Sequence, residues 1–210
     1  MPPRNFSYFW QGTFSLGIFL ILLIMVARQT FSSVDLFVTT GLQSLLPRFV
    51  DEPLSLFSIM GNFEVLLLAT FFLGLFIYKK KKILPLSFGL FFFIFIFEFI
   101  GKRLIFHPHP SLDLLRFTLP FTFPAIHVEI PNSFPSGHVG RTIFLAILCS
   151  YFVNKFSQRL VSKFFLQVVI FLFSFLMIIS RIYLGEHWFS DVLGGFLLGA
   201  SMGLFALVYY

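Results

Sequence analysis

The chain has 210 residues, of which 58% are hydrophobic and 11% charged, with a mean hydropathy of +0.93. This composition excludes an ordinary soluble domain and indicates an integral membrane protein of one domain, covering 1–210. The net charge of +6 is explained below by membrane topology, and we expect no nucleic-acid partner.

Six apolar segments are predicted to span the membrane. They cover about 14–27, 54–78, 84–101, 137–153, 164–180 and 188–209. A cleaved signal peptide is a competing interpretation of the first segment, but no small-residue cleavage pattern follows Ala27. The predicted fold is therefore an all-α bundle of six transmembrane helices.

Two connections between these spans have features of their own. Ser33 to Val50, after the first span, has apolar residues at helical spacing and predicts an amphipathic helix in the membrane interface. The long loop between spans three and four contains several prolines, which favour short turns, with one brief helix predicted over 112–119. Loops of this length are usually functional.

Charge and small residues predict the orientation and packing of the spans. Eight of the fifteen Lys and Arg residues lie in the N-terminal segment, in 79–82 and in 154–163, which contain no acidic residue. By the positive-inside rule both termini are cytoplasmic and the loop between spans three and four faces outward. Gly195, Gly199 and Gly203 would let the last helix approach its neighbours closely.

Three segments near the predicted outer face carry ionisable residues suited to phosphate chemistry. His187 and Asp191 share a helix face if the last helix begins near Trp188, so that the carboxylate orients an imidazole able to act as nucleophile or base. Ser136 is predicted to cap the fourth span, where free backbone N–H groups beside Gly137 form an anion site. Arg181 offers forked donors for a phosphoryl group.

The third of these segments adds a cation, Lys102, which ends the third span eight residues before Pro110. Glu98, four residues earlier, lies on the same helix face and is predicted to form a structural ion pair with it.

In order and spacing, these segments resemble the three-part signature of the type 2 phosphatidic acid phosphatase superfamily. The resemblance implies that His187 attacks phosphorus to form a phosphohistidine, that Asp191 orients it, and that His138 protonates the leaving oxygen and then activates water. It also implies a phosphate cradle, without a metal or other cofactor. The cradle residues are Lys102, His109, Ser136, Gly137 and Arg181.

The lysine segment departs from the family pattern. His109 stands where arginine usually precedes the proline, and His107 where a further arginine is common. Histidine has an ordinary pKa near 6.5 and lacks a guanidinium fork, so either the enzyme is tuned to mildly acidic surroundings or another arginine binds the phosphate. The alternatives are Arg103, Arg116 and Arg141. Arg141 is the strongest, because it follows His138 by three residues on one helix face.

The expected function is removal of the terminal phosphate of a lipid phosphate or diphosphate at the outer face of a bacterial cytoplasmic membrane. An undecaprenyl-type diphosphate is the first expected substrate. The alternatives are a phosphatidylglycerophosphate or phosphatidate phosphatase, a lipid phosphotransferase, and an inactive transporter or scaffold. The expected partners are the bilayer and its lipid substrate, and the oligomeric state is left open.

Overall fold

The computed structural model describes residues 6–81, 87–116 and 131–210, and every regular element in these ranges is a helix. The helices are α1 Phe6–Ala27, α2 Ser32–Leu45, α3 Asp51–Ser58, α4 Phe63–Lys81, α5 Ser87–Leu104, α6 Gly137–Phe156, α7 Leu160–Tyr183 and α8 Phe189–Leu207. The predicted all-α class is therefore confirmed. Instead of the brief helix expected over 112–119, Leu112–Leu114 forms a short 3₁₀ turn, and 117–119 lie outside the described residues.

Within the described residues, four helices are long and apolar enough to cross a membrane: α1, α6, α7 and α8. A bent pair, Arg48–Gly61 with Phe63–Lys80, is a fifth candidate. The third expected span, 84–101, overlaps α5, whose later turns carry Glu98 and two basic residues. The count of six spans stays a prediction.

The second expected span, 54–78, is broken in the structure. Its two halves enclose an angle of 52°, with the break at Ile59–Gly61 and Asn62. Asn62 has an extended backbone, and a Cβ on Gly61 would lie 2.7 Å from the His138 ring and 2.8 Å from Met177 Sδ. Because Gly61 has no side chain, this turn can approach the start of α6. The break in the span therefore places Asn62 at that end of the bundle.

Helices α6 and α8 pack together at the centre, with α1 against the other side of α8. A Cβ on Gly195 would overlap the Ser136 carbonyl oxygen, and one on Gly199 would overlap that of Gly140. The predicted close approach of the glycine-bearing helix is therefore confirmed. Beside it, the Ser136 N–H donates to the Asp191 carbonyl oxygen at 2.9 Å, which joins the starts of α6 and α8.

Helix α2 is shorter than the predicted Ser33 to Val50, and its polar side faces inward. It ends at Leu45 because the residue before Pro47 is extended, as a following proline favours. Asp35 and Thr39 are buried against the bundle, whereas Phe37 is 77% exposed. The amphipathic pattern is present, but the protein interior takes the polar face and the apolar face points outward.

Candidate active site

Side chains from all three predicted segments line one cavity of about 480 Å³ at one end of the bundle. At this end α5 and α7 finish, and α4, α6 and α8 begin. Among its lining residues are Lys102, His109, His138, Arg141, Arg181 and His187. The cavity also contains Asn62 and three acidic residues, Glu64, Glu98 and Glu186.

His187 and Asp191 are in contact as their four-residue spacing predicted. His187 Nδ1 lies 3.3 Å from Asp191 Oδ2, which also accepts the Trp188 N–H at 2.9 Å and so caps α8. Burial, followed by the positive charges of Lys102 and Arg181, holds the pKa of His187 well below its usual 6.5. The neutral ring donates Nδ1–H to the carboxylate and keeps a lone pair on Nε2, as a nucleophile requires.

His138 has a partner that lies outside the three segments. Its Nε2 lies 2.8 Å from Asn62 Oδ1, which holds the imidazole in one orientation at the cavity wall. Sequence reasoning missed Asn62. The only signal was the Gly61–Asn62 pair, which interrupts an apolar run with two poor helix formers.

The cations of the cavity are already paired with carboxylates. Lys102 Nζ lies 2.9 Å from Glu98 Oε1, which confirms the predicted ion pair, and the other Glu98 oxygen contacts Arg141. Arg181 pairs with Glu186, which also lines the cavity. A bound phosphate would therefore compete with these carboxylates for the same donors.

Ser136 and Gly137 are not among the described residues that line the cavity. Ser136 is the N-cap residue of α6 as predicted, but its side chain makes no capping hydrogen bond. Its buried Oγ has no hydrogen-bond partner among the described residues. Gly137 lies directly against the Glu98 carboxylate, where a Cβ would overlap it, so an anionic group already adjoins the start of α6.

The three arginines considered as alternatives to His109 differ in whether they line the cavity. Arg141 lines the cavity, as expected for the strongest alternative to the missing arginine. Arg103 is exposed over the Phe99 ring, 5.7 Å from its centroid, and Arg116 donates to the Gln43 carbonyl oxygen at 2.6 Å. Neither is among the described lining residues.

The two histidines of the lysine segment also differ in whether they line the cavity. His109 lines the cavity with its ring centroid 6.1 Å from that of His187. His107 is buried behind Asp191 and is not among the described lining residues. Of the two histidines that stand in place of arginines of the family pattern, only His109 therefore lies where it could contact a bound phosphate.

Comparison with known proteins relates the second half of the chain to a family. The pattern of the PAP2 superfamily matches residues 116–210. Phosphatidylglycerophosphatase B of Bacillus subtilis is 39% identical over 77 residues, and this alignment spans 36% of the chain and 37% of that protein's length.

Two crystal structures have a similar fold. The first transmembrane PAP2 type phosphatidylglycerolphosphate phosphatase from Bacillus subtilis gives a TM-score of 0.73, covering 94% of each chain at 23% identity. Aquifex aeolicus LpxE gives 0.56, covering 84% of this chain and 96% of its own, also at 23% identity.

Proposed function

We propose, from the premise that residues 116–210 belong to the PAP2 superfamily, that this chain is an integral membrane phosphatase which removes a terminal phosphate from a lipid. One observation carries the proposal. A neutral imidazole held by Asp191 faces a cavity that also holds three basic side chains and two further histidines. That arrangement suits nucleophilic attack on a phosphoryl group.

The proposed reaction has two steps. His187 Nε2 forms a bond to phosphorus while the ester P–O bond breaks, and His138 gives a proton to the leaving oxygen. In the second step, His138 accepts a proton from water, the water oxygen bonds to phosphorus and the P–N bond breaks. Asp191 stabilises the positive charge on His187 in the intermediate.

The basic side chains would neutralise charge on the phosphoryl oxygens. Lys102, Arg141 and Arg181 provide fixed positive charges, so the proposed steps assign no role to a metal ion. His109 and the backbone at Ser136 and Gly137 complete the proposed cradle. Because the arginine of α6 lies in the cavity, the proposal does not require His109 to be charged.

A phosphate monoester is the favoured substrate class, and phosphatidylglycerophosphate is its first candidate. Both Bacillus subtilis relatives carry that activity in their names. An undecaprenyl-type diphosphate remains the second candidate.

A lipid could enter this cavity from the side. Phe95 and Phe99 of α5 line the cavity, and each is 41% exposed. An acyl chain could follow these rings while the phosphate remains among the cations. This geometry supports lateral entry from the bilayer.

Charge distribution supports an outward-facing site. Asn62 precedes α4 at the cavity, and Lys79–Lys81 end the same helix, about 28 Å away along its axis. Lys155 and Arg159 lie where α6 ends and α7 begins, also away from the cavity. By the positive-inside rule, the lysine end is cytoplasmic and the cavity faces outward.

The test is phosphate release by purified protein from phosphatidylglycerophosphate, phosphatidate and undecaprenyl diphosphate, with and without chelator. We expect activity on a lipid monoester, none in His187→Ala, and a large loss in Arg181→Ala. Arg103→Ala, the same substitution outside the cavity, is the matched control. No release from any lipid would favour a transporter or scaffold, and phosphate found on a second lipid would identify a phosphotransferase.

A further inference from the structure

A polar cluster of four buried side chains lies behind the His187–Asp191 pair. It consists of Asp35 from α2, His107 from the loop after α5, and Ser190 and Asp191 from the first turn of α8. Asp35 is 1% and His107 4% exposed. Burying polar groups costs free energy unless they are hydrogen-bonded, so the contacts within the cluster determine its arrangement.

Ser190 sets the direction of the hydrogen bonds. Its backbone N–H and its hydroxyl donate to the two oxygens of Asp35, both at 2.8 Å. The same hydroxyl oxygen lies 3.1 Å from His107 Nε2. Because its single proton is used on Asp35, Ser190 must accept the Nε2–H of His107. Burial, with a smaller contribution from His109, lowers the pKa of His107 to about 4, so the neutral ring carries its one proton on Nε2.

His107 Nε2 also faces the catalytic carboxylate. It lies 3.4 Å from Asp191 Oδ1, whereas the other oxygen accepts from His187 and from the Trp188 backbone. Oδ1 makes no hydrogen bond among the described residues. The His107 N–H, which the Ser190 hydroxyl accepts, therefore lies beside the carboxylate oxygen that does not contact His187.

The position of His107 is set by its backbone. Its N–H donates to Asn132 Oδ1 at 3.0 Å, and its carbonyl oxygen accepts from the N–H and hydroxyl of Ser133 at 2.8 and 2.9 Å. Asn132 Nδ2 in turn donates to the Lys102 carbonyl oxygen at 3.0 Å. A substitution of the ring therefore removes the side-chain donor and leaves the anchors of the loop in place.

We propose that His107 is a positioning residue for the catalytic pair, and that Asp35 holds it in that role through Ser190. The positive end of the His107 N–H, whose nitrogen lies 3.4 Å from Oδ1, attracts that oxygen and so holds the Asp191 carboxylate in the plane that keeps Oδ2 on His187. This inference rests on the proposed function and deepens it, because it gives His107 a role distinct from phosphate binding.

The decisive test compares two variants of nearly equal shape, His107→Gln and His107→Met. Glutamine places an amide N–H near the position of Nε2, whereas methionine fills the same space without a donor. We expect His107→Met to lower kcat about tenfold with KM changed less than about twofold, and His107→Gln to stay within about threefold of wild type. Equal kcat values for the two variants would overturn the inference.

Asp35→Asn tests the same network from its other end. Its amide N–H would donate to the Ser190 hydroxyl, which would then donate to His107 Nε2 and leave that atom without a proton for Asp191. We expect the same loss of kcat, and no further loss in the double variant Asp35→Asn with His107→Met. Additive losses would contradict the network. If His107→Met does not fold, the kcat of Asp35→Asn alone decides whether this hydrogen-bond network positions Asp191.

Failure of the proposed function has a different signature. If wild type releases no more phosphate than His187→Ala, the phosphatase proposal fails, and the network is then tested by ¹⁵N NMR of histidine-labelled protein. A neutral Nε2–H tautomer of His107, with a His187 Nδ1–H resonance that moves in His107→Met but not in His107→Gln, supports the network. An Nδ1–H tautomer of His107 overturns it.

Discussion

The hydrogen bond between Asn62 and His138 predicts that Asn62→Ala lowers turnover without weakening substrate binding. The bond length is 2.8 Å. A net hydrogen bond contributes about 0.5–1.5 kcal/mol, so its loss alone lowers kcat by roughly two- to twelvefold. Removing a general acid entirely costs about 10²–10⁴-fold, so the variant should lie between wild type and His138→Ala.

The assay is phosphate release from lipid phosphate in mixed micelles, with kcat and KM determined separately. Asn62→Asp keeps an oxygen acceptor at the same place and should recover much of the loss. Asn154→Ala, the same substitution at the opposite end of α6, is the matched control. The reasoning is refuted if Asn62→Ala turns over as fast as Asn154→Ala, or if only KM changes.

A change of leaving group tests why Asn62 matters. His138 is proposed to protonate the leaving oxygen, and an aryl phosphate releases a stable phenolate that needs no proton. The first-step burst of Asn62→Ala should therefore approach wild type with an aryl phosphate and remain slow with an alkyl phosphate. An equal deficit with both substrates would show that the ring is not being held for proton transfer.

Four further predictions concern charge, pH and packing. Glu186→Gln removes the anion that competes for the arginine of α7, so inorganic phosphate should inhibit at a several-fold lower concentration. Because burial lowers the pKa of His187, the acid limb of the kcat/KM profile should have its midpoint below pH 6.5, and a midpoint at or above that value contradicts this. The same profile should be unchanged in His109→Arg if the arginine of α6 already serves the phosphate. Gly199→Leu should destabilise the bundle by about 1–3 kcal/mol or more in thermal melts in detergent, whereas Gly17→Leu, which meets open space, should not.

The fold and the centre of the site were predictable because their signals are local. Apolar run length indicates helices, and the four-residue spacing brings His187, just before α8, against Asp191 in its first turn. The Glu98–Lys102 pair follows in the same way from one helix face. In each case, the interacting groups lie four residues apart in the sequence.

The supporting residues were not predictable because each acts across a long separation in sequence. Asn62 reaches His138 only through a break that periodicity does not report, and Asp35 lies in a helix whose pattern equally fits a membrane surface. The orientation of α2 depends on whether the polar face finds partners in the bundle, and its partner Ser190 is 155 residues away. Such contacts depend on tertiary packing.

The outward apolar face of α2 predicts that the surrounding lipid affects activity mechanically. We expect acyl chains that press on Phe37 and its exposed neighbours to push α2 toward α8, and this lateral pressure to keep Asp35 on Ser190. A small, loosely packed detergent micelle exerts less of it. The purified protein should therefore lose turnover in short-chain detergent while its helical content is intact, and regain it on return to a bilayer.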